Sequence, residues 1–181
     1  MALNRSLMGL RLPFKHRVEV WMSLCAQNGY DVLVYCTLRT FQEQEALYAQ
    51  GRETLERVNL LRGGAKLAPL NSESRNTRVT NAKPGKSWHN YGLALDFVPV
   101  QDGGSLDWTY NPKEAHDFYD EIIQIARGVD RDIISGKSFK TFKDYGHLEY
   151  HPGITVREAE DLVMRQNRWA DLDELLFKRW R

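Results

Sequence analysis

Ser87-Trp88-His89-Asn90-Tyr91-Gly92-Leu93-Ala94-Leu95-Asp96 decides how the rest of this chain is read. An imidazole precedes a tight turn, a carboxylate follows it, and both sit on a short apolar run. Zinc takes nitrogen from His and oxygen from Asp at about 2.0–2.2 Å, and a catalytic zinc keeps its fourth position open for water. Two ligands do not complete such a site. A third ligand and a base must come from elsewhere in the chain.

Upstream, residues 14–28 place Val18, Trp21, Leu24 and Cys25 at spacings of three and four, which predicts a helix ended by Asn28-Gly29. Tyr30 to Thr37 (YDVLVYCT) is β-branched and aromatic and reads as a buried strand. Thr40-Phe41-Gln42-Glu43 has the form of a capping box, opening a helix to about Gln50 with a stop at Gly51. Arg39 therefore lies where a strand ends and a helix begins. Such a junction can face a ligand, or Arg39 can pair with Glu43 at the surface. Residues 52–86, with Gly63-Gly64, Pro69 and Pro84-Gly85, show little pattern beyond a short helix at Thr54 to Leu61. A polar segment this long is either a flap beside the site or a tolerated surface insertion.

Downstream, Phe97-Val98-Pro99-Val100 ends the strand that begins near Asp96, and Gln101 to Ser105 reads as a turn. Leu106 to Tyr110 is a candidate strand. Asn111-Pro112-Lys113-Glu114 opens a helix that passes through Phe118, Ile122 and Ile125, with His116 on it. Asp144 to His151 alternates as a strand does. A second capping box, Thr155 to Glu158, opens a helix to about Arg168, and Asp171 to Arg181 forms a last short helix. The missing ligand and base are sought in Asp144-x-x-His147. Residues three apart on a strand face opposite ways, so a bend at Tyr145-Gly146 is needed to bring both into one cleft. The rival pairing joins His147 to Glu149 or His151, which alternation puts on one face.

The 181 residues suit one domain, and 42% apolar with 27% charged residues is the composition of a folded globular chain. A net charge of +1 gives no pull toward nucleic acid. Cys25 and Cys36 lie in apolar stretches and read as reduced core thiols rather than a bridge. Apolar runs near the start, such as Leu7-Met8-Gly9-Leu10, are too short for a secretory segment, and nothing approaches a membrane span. The expectation is cytoplasmic synthesis without a signal peptide and without membrane insertion.

Ser87-x-His89-x-x-Gly92-x-Ala94-x-Asp96 followed by Asp144-x-x-His147-x-Glu149 resembles the zinc-dependent D-alanyl-D-alanine carboxypeptidase family. Within it, the likeness is to L-alanyl-D-glutamate endopeptidases found among phage endolysins. Leu38-Arg39-Thr40-x-x-x-Gln44-x-x-Leu47-Tyr48-x-x-Gly51-Arg52 and Val79-Thr80-x-Ala82-x-x-Gly85 also look like that group. Gly146 stands where these endopeptidases often carry proline. The resemblance implies that His89, Asp96 and His147 hold one Zn2+, with Asp144 as the catalytic carboxylate. It implies that Arg39 contacts the polarised carbonyl or a substrate carboxylate, with Ser87 and Gln44 as supporting or substrate-side groups. Glu149 is expected to orient an imidazole rather than bind the metal.

The fold expected is α+β: a small central antiparallel sheet carrying the zinc site, flanked by helices, in a single domain over residues 1–181 with no separate wall-binding domain. The function expected is hydrolysis of the L-alanyl-D-glutamate bond in peptidoglycan stem peptides, acting on the cell wall after release through a holin-like pore. Two rivals stand beside it: a D,D-carboxypeptidase removing D-alanine, and a catalytically silent, metal-stabilised binding module.

Overall fold

Four antiparallel strands carry the opening stretch. A computed structural model describes residues 3–108, 117–151 and 153–180. The strands are β1 (Asp31–Cys36), β2 (Ala94–Val100), β3 (Ile133–Ser135) and β4 (His147–Tyr150), ordered β1-β2-β4-β3. The helices are α1 (Leu12–Gln27), α2 (Phe41–Ala49), α3 (Leu55–Gly64), α4 (Asp117–Val129), α5 (Val156–Glu160) and α6 (Trp169–Trp180). This is the α+β arrangement that the sequence led us to expect.

β2 is central and buried along six of its seven residues, because both of its faces are covered. One face is apolar. Trp21 of α1 meets Phe97 edge to face at 5.1 Å between ring centroids, and Phe14 stacks on Tyr150 at 5.8 Å. Tyr119, Ile122 and Ala126 of α4 join the same core, and the Trp21 indole N–H donates to the carbonyl of Ile122 at 3.0 Å. Each large side chain buried in this way contributes about 1.5–3 kcal/mol. A one-residue slip of β2 would turn its own Leu95 and Phe97 away from this core, so this face sets the register. The residues alternating with them, Ala94 and Asp96, are thereby committed to the other face.

Local signals explain most element ends. Thr40 and Thr155 both form reciprocal capping boxes with Glu43 and Glu158. Gly92 ends the 3-10 turn Trp88–Tyr91 in the left-handed region at φ 66°, and a Cβ there would come within 2.6 Å of the Gly9 carbonyl. Glycine is the residue that this turn admits. The exposed turn after β2 closes through Gln101 N–H to the Ser105 carbonyl at 2.8 Å.

Several expectations need correcting. The strand expected over Asp144 to His151 is only His147–Tyr150, because Tyr145-Gly146 form a turn before it. Leu106 makes a single bridge to Val100 rather than a strand, and Tyr110 lies outside the described residues. So do the helix start at Asn111-Pro112 and His116. β3 was not expected. The helix after Thr155 changes to a π-helical turn at Asp161–Arg165 instead of running on to Arg168.

Candidate active site

Asp96 of β2 stands directly opposite His147 of β4, and Cys36 of β1 is its partner on the other side. β1 reaches that position through a bulge between Val34 and Cys36, an extra residue that re-aims the end of the strand. His89 comes from the 3-10 turn before Gly92. Its Nε2 lies 3.1 Å from Asp96 Oδ1, and His147 Nδ1 lies 2.9 Å from the same oxygen. Asp144 is half-buried at the entry to the Tyr145-Gly146 turn, where its N–H donates to the Gly136 carbonyl at 3.0 Å. The bend that the sequence required is therefore present.

Among the described residues, two trios of potential ligand atoms lie within 4.8 Å of one another: Asp96, Asp144 and His147, and Cys36, His89 and Asp96. Asp96 is common to both. Each imidazole also has its outer nitrogen occupied. His89 Nδ1 donates to the Thr37 carbonyl at 2.7 Å, and His147 Nε2 meets Glu149 Oε2 at 3.0 Å. An acceptor behind each ring turns the other nitrogen's lone pair inward, as metal-ligating histidines require. Inward lone pairs beside two carboxyls concentrate electron density that a divalent cation offsets. The donor set fits a zinc ion.

The charges follow from the geometry. Burial opposes ionisation of Asp96, but the neighbouring imidazoles outweigh it and hold its carboxyl well below the usual range. Burial likewise opposes a charge on His147, yet hydrogen bonds to Asp96 and Glu149 push it up to about 10 before any ion binds. Burial lowers His89. Burial, reinforced by the charge of Asp96, raises Asp144. Glu149 falls to about 2 despite its burial, because it bridges two imidazoles: its Oε1 lies 2.6 Å from His151 Nε2.

Arg39 is only 8% exposed, which removes the surface pairing with Glu43. Its Nη2 reaches Asp96 Oδ2 at 3.3 Å and Cys36 Sγ at 3.3 Å, while Nη1 donates to Gln44 Oε1 at 3.0 Å. Arg39 therefore holds the oxygen of Asp96 that the imidazoles do not face. Its Nε is buried without a partner. Of the two parts open to Gln44, the supporting one matches its place: it is fully buried, donates to the Ala82 carbonyl at 2.7 Å, and is not among the residues lining the pocket. It braces Arg39 rather than touching a ligand. Ser87 is half-buried and does line the pocket.

That pocket, of about 350 Å³, is lined by Arg39, His89, Asp96, Asp144, His147 and Glu149, with Val79 to Ala82 on one wall. Trp88, Phe139 and Phe142 add apolar surface, and Phe142 is 60% exposed. Sequence reasoning passed over Cys36, the Thr37 carbonyl and the two phenylalanines. Burial pushes the Cys36 thiol up to about 12, so it stays protonated beside Arg39. A backbone carbonyl leaves no sign in sequence, and a buried cysteine looks the same beside a site as in a core.

A family profile described as D-alanyl-D-alanine carboxypeptidase matches residues 80–150. The peptidoglycan L-alanyl-D-glutamate endopeptidase CwlK of Bacillus subtilis is 32% identical over 142 residues, which are 76% of this chain and 71% of that protein. The chain belongs to the D-alanyl-D-alanine carboxypeptidase family and is a metallopeptidase. Among solved structures, that of the LdcB LD-carboxypeptidase is similar in fold, with a TM-score of 0.50 at 15% identity over 94% of this chain and 69% of that one. The L-Ala D-Glu endopeptidase ChiX of Serratia marcescens gives 0.48 at 20% identity, over 84% and 86%. No helix among the described residues is long and apolar enough to cross a membrane.

Proposed function

We propose that this metallopeptidase is zinc-dependent and hydrolyses the L-alanyl-D-glutamate bond of peptidoglycan stem peptides, acting on the cell wall. The observation that carries the chemistry is Asp96 Oδ1 faced by two imidazole nitrogens, with the Asp144 carboxyl on the same pocket wall. The bond assignment is supported by the likeness to CwlK, whose name specifies that bond.

His89 Nε2, Asp96 Oδ1 and His147 Nδ1 are the atoms that would hold one zinc per chain. When bound, the ion supplies positive charge that acidifies a water and polarises the scissile carbonyl. Asp144 takes the proton of the attacking water and delivers it to the leaving amine; its raised affinity for a proton suits that shuttle. Arg39 adds fixed positive charge beside the pocket, which favours the developing oxyanion or the D-glutamate carboxylate. Glu149 keeps the His147 ring in place.

The rival of removing terminal D-alanine has the family description in its favour. Mass spectrometry of digested muropeptides, with metal content of the purified protein, separates the two. Products cut between L-alanine and D-glutamate are expected, and release of single D-alanine would overturn the assignment. A silent binding module is disfavoured because a structural zinc needs no extra carboxyl in the pocket. If the zinc-loaded protein cuts no muropeptide bond, that module reading takes over.

A further inference from the structure

Asn90 follows His89 directly, is only 2% exposed, and does not line the pocket. Its side chain nevertheless bonds to three separate places around the site. Nδ2 donates to the Arg39 carbonyl at 2.9 Å and reaches the Thr40 carbonyl at 3.4 Å. Oδ1 accepts from the Gly85 N–H at 3.0 Å. These partners fix which way the amide faces. Turned over, its NH2 would meet an N–H and its oxygen two carbonyls. The position asks for a donor and an acceptor on one short side chain, which a carboxylate or an apolar residue does not supply.

Arg39 gains most from these bonds. It lies after β1 ends at Cys36 and before α2 starts at Phe41, so neither element's regular bonding places it. Its N–H donates to the His89 carbonyl at 3.0 Å, and its C=O accepts from the Asn90 side chain. Two consecutive residues of the turn that carries a candidate ligand thus grip both polar groups of the Arg39 main chain. Thr40 caps α2, and Gln44 on that helix accepts from Arg39 Nη1 at 3.0 Å. The guanidinium is therefore reached from Asn90 by two routes. Gly85, the remaining partner, has its carbonyl held by the Tyr91 hydroxyl at 2.8 Å and leads into Lys86 and Ser87 of the pocket wall. A buried carbonyl that loses its donor must shift or stay unpaired at a cost.

We propose that Asn90 is a positioning residue for the cleavage reaction, setting the Arg39 guanidinium against Asp96 Oδ2 by tying the Arg39 main chain to the turn of His89. It acts through Arg39. His89 keeps its own supports, the Thr37 carbonyl and Asp96, so metal retention does not depend on Asn90. The inference rests on the function proposed above, because it assigns Asn90 to the reaction that Arg39 serves.

The test compares zinc-loaded wild type, Asn90→Ala, Arg39→Gln and the double variant on N-acetyl-L-alanyl-γ-D-glutamyl-L-lysine. Asn90→Ala should keep one zinc per chain and lose about 10–100-fold in kcat/KM, the scale of a small misplacement of a reacting or stabilising group. The loss should divide between kcat and KM as that of Arg39→Gln does. In the Arg39→Gln background the same change should cost less than about threefold, since no guanidinium is left to position. Equal losses in both backgrounds, loss of zinc, or full activity overturn the proposal. Asn90→Asp, close in size, keeps an acceptor for Gly85 but loses the donor to Arg39, and should show the same dependence on Arg39. A readout on wild type needs no variant to fold: the Asn90 side-chain amide hydrogens should exchange slowly with solvent, and rapid exchange overturns the tie to Arg39. If wild type cuts a different muropeptide bond and the coupling holds there, the bond assignment fails and Asn90 stands. Absence of any cleavage overturns both.

Discussion

Asp96 and His147 face each other across β2 and β4, and His147 Nδ1 comes within 2.9 Å of Asp96 Oδ1. Two strands whose facing residues are 51 positions apart in sequence are thus joined twice, by their ladder and by the side chains that would share a cation. Under the proposed metal assignment, ion capture and strand pairing are coupled, which makes the centre open to test residue by residue.

Asp144 lies in the pocket but is not among the atoms assigned to hold the ion. Asp144→Asn should retain zinc and the wild-type melting temperature while losing about 10²–10⁴ in rate. Elemental analysis beside a muropeptide assay checks this. Activity within tenfold of wild type would remove Asp144 from the mechanism.

Loading the ion should expel a proton. Before binding, His147 titrates near 10 and is charged at pH 8, whereas a ligating imidazole must be neutral. Titrating zinc into the metal-free protein at pH 8, in buffers of different ionisation enthalpy, should report about one proton released. The sign carries over to stability. A pKa raised above its unfolded value contributes stability that is full below about 6.5 and lost as pH rises through about 10. The metal-free protein should therefore melt progressively lower across that window.

Glu149 fixes the His147 ring from behind through Nε2. Glu149→Gln should weaken zinc affinity by about 10–100-fold, measured by competition with a chelator. Unchanged affinity would mean that the β4 backbone alone orients the ring.

Arg39 joins Asp96, Cys36 and Gln44 in a nearly closed environment. Arg39→Ala leaves a buried carboxylate without its cation and should cost about 3–5 kcal/mol by denaturant unfolding. Arg39→Lys should recover only part of that, since a single ammonium cannot span three partners that a planar fork reaches. Full recovery would show that charge alone matters there.

Where signals were local, the sequence was enough. The helical spacing of Val18, Trp21 and Cys25, and the capping boxes at Thr40 and Thr155, led to elements that the structure contains. His89, Asp96, Asp144 and His147 could be named because their spacing resembles a family, and the structure brings them into one pocket. Side-chain direction was less legible. Gln44 was open to a supporting or a substrate-side part; α2 turns it inward to Arg39 and the Ala82 carbonyl, and no local pattern announces which face of so short a helix is covered. β3 has only three residues and owes its existence to pairing with β4, so its own sequence carries little sign of it. Cys36 depends on a bulge, a feature of two strands together rather than of one.

The exposed turn after β2 gives the architecture a practical handle. A backbone cut between Gly103 and Gly104 leaves His89 and Asp96 on one fragment and Asp144 and His147 on the other. Neither fragment holds both halves of the centre, so each is inert alone by construction. Fused to two partners of interest, the halves would make a split enzyme whose catalysis reports proximity.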